Sequence, residues 1–179
     1  MSYLKNLQLM SRYNQLMNQK LIDAASNLSA EEIRCDRGAF FGSILGSLNH
    51  IYVADLIWLR RFATHPKKYK IEQLPELLSY TNLNQTVAND LQSMSNLRQS
   101  LDMQIINWCQ GIKAEDLESN LHYQDTKGNA YRKNCGQLIY HFFNHQTHHR
   151  GQISTLISQQ GLDIGVTDLL QIIPEQKIN

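Results

Sequence analysis

Tyr140-His141-Phe142-Phe143-Asn144-His145-Gln146-Thr147-His148-His149-Arg150-Gly151-Gln152 carries four of the seven histidines in this chain of 179 residues. The stretch reads as helix, and His145 and His149 stand four apart, so both imidazoles fall on one face, one turn from each other. Neutral imidazole is a good ligand for first-row metals, and two at this spacing can reach one ion. At about 100° per residue, Leu138, Phe142, Ile153 and Leu156 define a core-facing direction. His145 and His149 lie within about 40° of it, whereas His141 and His148 fall roughly 80–100° to one side. The four histidines therefore separate into an inward pair and two flanking residues.

Outward from this stretch, the last long helix spans about Cys135 to Gln160 and stops at Gly161. Before it, Ser119–Gln124 and Ala130–Lys133 flank Gly128 as two short mixed runs, the pattern of a small β-hairpin that must lean on the helices. A first helix follows from the three- and four-residue steps of Leu4, Leu7, Met10, Tyr13, Leu21, Ala24 and Leu28. Ser29-Ala30-Glu31-Glu32 forms a capping box that opens a short turn, and 34–38 reads as a loop. A second helix runs from about Phe40 to Ala63, and a third from about Leu78 to Gly111. Lys113–Leu117 reads as a brief turn, and Asp168-Leu169-Leu170 gives the tail one short apolar turn. Four long helices with a hairpin before the last predict an all-α four-helix bundle, a single domain over 1–179 with its site built from facing helices.

Composition narrows the function. Net charge is +1, and the one short basic run, Lys67-Lys68-Tyr69-Lys70, reads as a solvated loop, which argues against nucleic-acid binding. Cys35, Cys109 and Cys135 are too few and too scattered for a disulfide framework or a CxxC clip, so a reducing cytoplasm suits them. No apolar run approaches the roughly 20 residues that cross a bilayer, and Lys5, Arg12 and Lys20 interrupt any signal-like start. The expectation is a soluble cytoplasmic protein. Glu-x-x-His pairs of a di-iron bundle, His-Glu-x-x-His of a zincin and a glycine-rich phosphate loop are all absent.

A third ligand has to come from elsewhere. His50 lies on the second helix, in a sector crowded by Gly42, Ser43, Gly46, Ser47 and Ala54. Those small residues either leave room for a pocket above a metal or let a neighbouring helix approach closely. By angle His50 sits at the margin of the core, and His65 at the helix end and His122 in the hairpin stay open beside it.

Leu48-Asn49-His50-Ile51 with Asp55 and Trp58, followed by Asn144-His145-Gln146-Thr147-His148-His149-Arg150-Gly151-Gln152, resembles the paired signature of the DinB-like (DinB/YfiT-like) metal-binding four-helix bundles. The opening helix from Tyr13-Asn14-Gln15 to Ala24, the Gly128 hairpin and the Asp168-Leu169-Leu170 turn extend the resemblance over nearly the whole chain. It implies a bundle of unusual connectivity, often a homodimer, in which His50, His145 and His149 hold a divalent metal. It also implies an activity like that of the family's thiol-dependent S-transferases and maleylpyruvate isomerase, with a small-molecule substrate or thiol as partner and no DNA contact. Catalytic residues are not assigned by it.

Three neutral imidazoles leave coordination positions open, as catalytic sites do, and accept Zn, Ni, Fe, Co or Cu. Such an ion keeps its full charge and activates either water, giving hydrolysis, or a thiol, giving S-transfer; a non-catalytic metal-binding stress-response dimer is the third reading. Arg150 either adds to the positive field or makes a helix-surface salt bridge. Asp55 either accepts from a ligand histidine or pairs with Arg12 or Arg60, while Tyr13, Tyr52 and Trp58 read as core.

Overall fold

The computed structural model describes residues 3–66, 71, 82–83 and 85–175. The long helices are α1 (Tyr3–Ala25), α3 (Ile44–Ala63), α4 (Leu91–Gly111) and α6 (Cys135–Ser158), with short α2 (Ala30–Arg34) and α5 (Ala114–Glu118) between them. Strands β1 (Asn120–Gln124) and β2 (Ala130–Asn134) form an antiparallel hairpin immediately before α6. The four-helix bundle expected from sequence is therefore the observed architecture. Helix α1 packs along α4 and α6, and α3 closes the ring against α6 and α4. Ile44, Tyr52, Leu59, Phe62, Ile105, Ile139, Phe142 and Ile153, each buried to within a few per cent, fill the centre. Among the described residues no helix is long and apolar enough to cross a membrane.

Helix starts follow local chemistry closely. The Ser29 hydroxyl accepts from Glu32 N while the Glu32 carboxylate accepts from Ser29 N, completing the capping box, but the turn it opens closes into the one-turn helix α2. The turn expected at Lys113–Leu117 is likewise the one-turn helix α5. Helix α3 begins at Ile44, not Phe40, because Ser43 caps it through Gly46 N and Gly42 ahead of it takes φ 72°.

The third long helix begins later than its periodicity suggests. Asp90 caps α4 by accepting from Ser93 N at 2.7 Å, and residues 85–90 before it are not helical. Buried Asn49 of α3 pins that segment: its Oδ1 accepts from Val87 N and Ala88 N, and its Nδ2 donates to Ala88 O. A side-chain grip from a distant helix thus satisfies the backbone groups that a helix would have used. The expected helix start at Leu78 and the basic run at 67–70 lie outside the described residues.

The hairpin pairs Tyr123 with Tyr131 and turns through Gly128 at φ 85°. It leans on the bundle as two strands must: Leu121 is buried, and Arg61 Nε donates to Gln124 O at 3.1 Å. Beyond α6, a 3-10 turn at Leu169–Ile172 lies against α1, where Lys20 Nζ donates to Val166 O and Gln171 Oε1.

Candidate metal centre

Helices α3 and α6 place His50, His145 and His149 together, with one ring nitrogen from each inside a sphere where all lie within 4.8 Å of one another. His149 Nε2 stands 3.2 Å from His50 Nε2 and 3.1 Å from His145 Nε2. Three imidazoles on an ion at about 2.0–2.1 Å put their nitrogens about 3.0–3.4 Å apart, so both separations from His149 fit a shared cation. Among the described residues no carboxylate or thiolate joins the cluster.

The outer ring atoms explain which nitrogens converge. His50 Nδ1 donates to Leu83 O at 3.2 Å, and His149 Nδ1 donates to Gln152 Oε1 at 2.8 Å. Each bond fixes the tautomer whose Nε2 carries the lone pair, the usual arrangement around a metal-binding imidazole. The environment favours the same neutral form. Burial pushes His50 down to about 4, the Leu83 bond opposing it, and burial together with the neighbouring His149 and His50 pushes His145 down to about 3. His149 is also lowered, again mainly by burial.

Phe41 lies on His50 with ring centroids 3.7 Å apart and meets His149 edge-on at 5.6 Å. The small residues around His50 acquire a specific role here. A Cβ at Gly46 would stand 2.1 Å from the Phe41 carbonyl oxygen, so glycine admits the chain's own incoming turn. Of the two roles open from sequence, it makes neither an empty pocket nor a seat for another helix.

The other histidines fall away from the centre. His65 is buried and bonds Ser119 Oγ at 2.7 Å, and His122 is exposed on β1. His141 and His148 flank the pair on exposed positions; His141 packs on Trp58, and His148 Nε2 accepts from Gln152 Nε2. Asp55 pairs with Arg98 at 2.5 Å, not with Arg12, Arg60 or a ligand histidine. Arg150 makes no helix-surface salt bridge: it is 5% exposed, aimed at Asn14 Oδ1 of α1 and Thr147 Oγ1, above the Tyr13 ring. Tyr52 is core, Tyr13 donates to Thr167 O, and Trp58 is half-buried between Phe62, Tyr123 and His141. Phe41 and the Leu83 carbonyl were not legible, since both depend on how distant chain returns to α3. Gln152 was within reach of reasoning, being one helical turn from His149.

A helical bundle with three converging imidazoles on two facing helices is the class of protein these features define. The chain matches the DinB family over residues 1–177 and belongs to it. It is 28% identical over 159 residues to Protein DinB of Bacillus subtilis (strain 168), an alignment covering 87% of each chain. No solved structure matches.

Proposed function

We propose that this protein binds one divalent metal ion through Nε2 of His50, His145 and His149, and uses it to activate a low-molecular-weight thiol for transfer to an electrophilic small molecule. The convergence of three neutral ring nitrogens, His149 Nε2 standing 3.1–3.2 Å from each of the other two and all three within 4.8 Å, with no acidic ligand among the described residues, carries the reading. Such a ligand set leaves the charge of Zn, Ni or Fe uncompensated, so a bound thiol or water ionises readily there. The chain's own residues hold the three imidazoles neutral and orient two of them through Leu83 O and Gln152 Oε1. The chain's buried thiols are poor candidates for the nucleophile, because burial raises Cys109 to about 12 and Cys135 to about 11. A homodimer in a reducing cytoplasm belongs to the same proposal, supported by three unpaired cysteines and by the resemblance.

Elemental analysis of untagged wild type against His50→Ala, His145→Ala and His149→Ala tests the ligand set. About one equivalent in wild type, lost in each variant, is expected; metal retained by His50→Ala would remove it as the third ligand. Incubation with a thiol panel plus a chromogenic electrophile, and separately with ester and amide substrates, tests the reaction. Thiol-dependent turnover abolished in His145→Ala is expected. Turnover of esters alone would move the assignment to hydrolysis, and no turnover would leave a metal-binding protein.

A further inference from the structure

One buried polar cluster that the metal centre does not use touches all four long helices. Arg98 of α4 donates from Nη1 to Asp55 of α3 at 2.5 Å and from Nη2 to Asp102 at 2.8 Å. Asp102 also accepts from Asn14 and Asn18 of α1, each at 3.0 Å. Arg150 of α6 reaches Asn14 Oδ1 from the other side. Every one of these side chains is 5% exposed or less. Two carboxylates face two guanidiniums, so the cluster is charge-balanced.

This cluster and the histidines occupy the same two helices. On α6, Gln146 and Arg150 each follow a ligand, His145 and His149, by one residue, about 100° around the axis. On α3, Asp55 lies five positions after His50. Gln146 is fully buried beside Asp55, although neither of its amide atoms reaches hydrogen-bond geometry. Helices packed only through apolar side chains tolerate small rotations, whereas directional bonds to buried charges do not. At about 6 Å from a helix axis, a turn of about 10° carries a ring nitrogen about 1 Å, several times the tolerance of about 0.2 Å in a metal–nitrogen distance.

We infer that Asp55, Arg98 and Arg150 are positioning residues for the three-histidine centre, fixing the rotation of α3 and α6 and hence the aim of the imidazoles. The inference rests on the metal-binding reading above. Stability alone does not account for such a cluster, because a buried ion pair replaced by apolar residues of similar volume is often neutral or stabilising, while its clearest benefit is to specify one arrangement.

The test replaces the Asp55–Arg98 pair as a unit, Asp55→Leu with Arg98→Met, leaving Asp102 balanced by Arg150. Cobalt(II) affinity by chelator competition, the cobalt absorption spectrum and thermal unfolding are measured together. The expected double variant melts close to wild type, binds cobalt at least about tenfold more weakly and shows an altered spectrum. Asp55→Asn, which still accepts from Arg98, should keep the wild-type spectrum. Unchanged affinity and spectrum in the folded double variant would overturn the inference and leave the metal reading standing. Absence of a cobalt spectrum from wild type would sink both. Should the double variant not fold, Arg150→Gln, too short for its reach to Asn14, takes its place, and wild-type affinity and spectrum there would likewise overturn the inference.

Discussion

Metal binding by this chain should weaken by no more than about tenfold down to pH 5.5, far less than binding by exposed histidines. An imidazole titrating at about 6.5 is about one-tenth neutral at pH 5.5, so three exposed ligands would lose about a thousandfold in apparent affinity between pH 7.5 and 5.5. Here burial holds His50 at about 4 and His145 at about 3. Proton competition at those two then costs less than about 5% each over the same interval. His149, lowered from its ordinary value, loses less than about tenfold, and the site as a whole no more than that. Competition of cobalt(II) between the protein and a chromophoric chelator, corrected for the chelator's own protonation, measures the slope. A fall of about a hundredfold or more by pH 5.5 would refute the argument, because it would require at least two ligands to titrate like exposed imidazoles. The sign for the metal-free fold follows from the same shifts. The unfolded chain binds these protons more readily than the fold, so stability is greatest above the ordinary value of about 6.5 and falls as pH drops toward the folded values.

Three further outcomes test the packing. Asp55→Ala leaves the buried Arg98 guanidinium with Asp102 alone, so that the cluster carries one uncompensated positive charge beside a cavity, and should cost about 3–5 kcal/mol, lowering the melting temperature by roughly 6–20 °C; a melting temperature equal to wild type would count against an intact buried pair. Gly46→Ala forces the Phe41 turn off α3, so calorimetry should show a loss of about 1–3 kcal/mol, and chelator competition should show weakened metal binding. Iodoacetamide should label exposed Cys35 in the native protein, with Cys109 and Cys135 reacting only after denaturation, as mass spectrometry would show; native labelling of Cys109 would contradict its burial.

Much of the fold was legible because amphipathic periodicity is a local property. The steps of Leu7, Leu21 and Ala24 on α1 and of Leu138, Phe142 and Ile153 on α6 mark residues that are in fact buried. Periodicity misplaced the start of α4, because Asn49 pins residues 87–88 from across the molecule and no local pattern announces that grip. At the site, the inward pair and the two flanking histidines followed from helix angles alone. His50 did not: its selection over His65 and His122 came from the resemblance, and the convergence of its Nε2 on His149 comes from packing of α3 against α6. Arg150 shows the limit most clearly. An arginine after a histidine pair reads as a surface charge until α1 brings Asn14 to meet it.

By itself the sequence determined which residues share a helical face, and with that the four helices, the hairpin before the last and the pairing of His145 with His149. Helix geometry repeats every few residues, so these needed no knowledge of the rest of the chain. Tertiary structure decided what lies opposite each face: His50 and Phe41 against the histidine face of α6, and against the adjacent face the Asp55–Arg98–Asp102 cluster with Arg150. Those contacts join residues up to 136 positions apart. Their aim depends on helix rotations and approach distances that only the assembled core fixes.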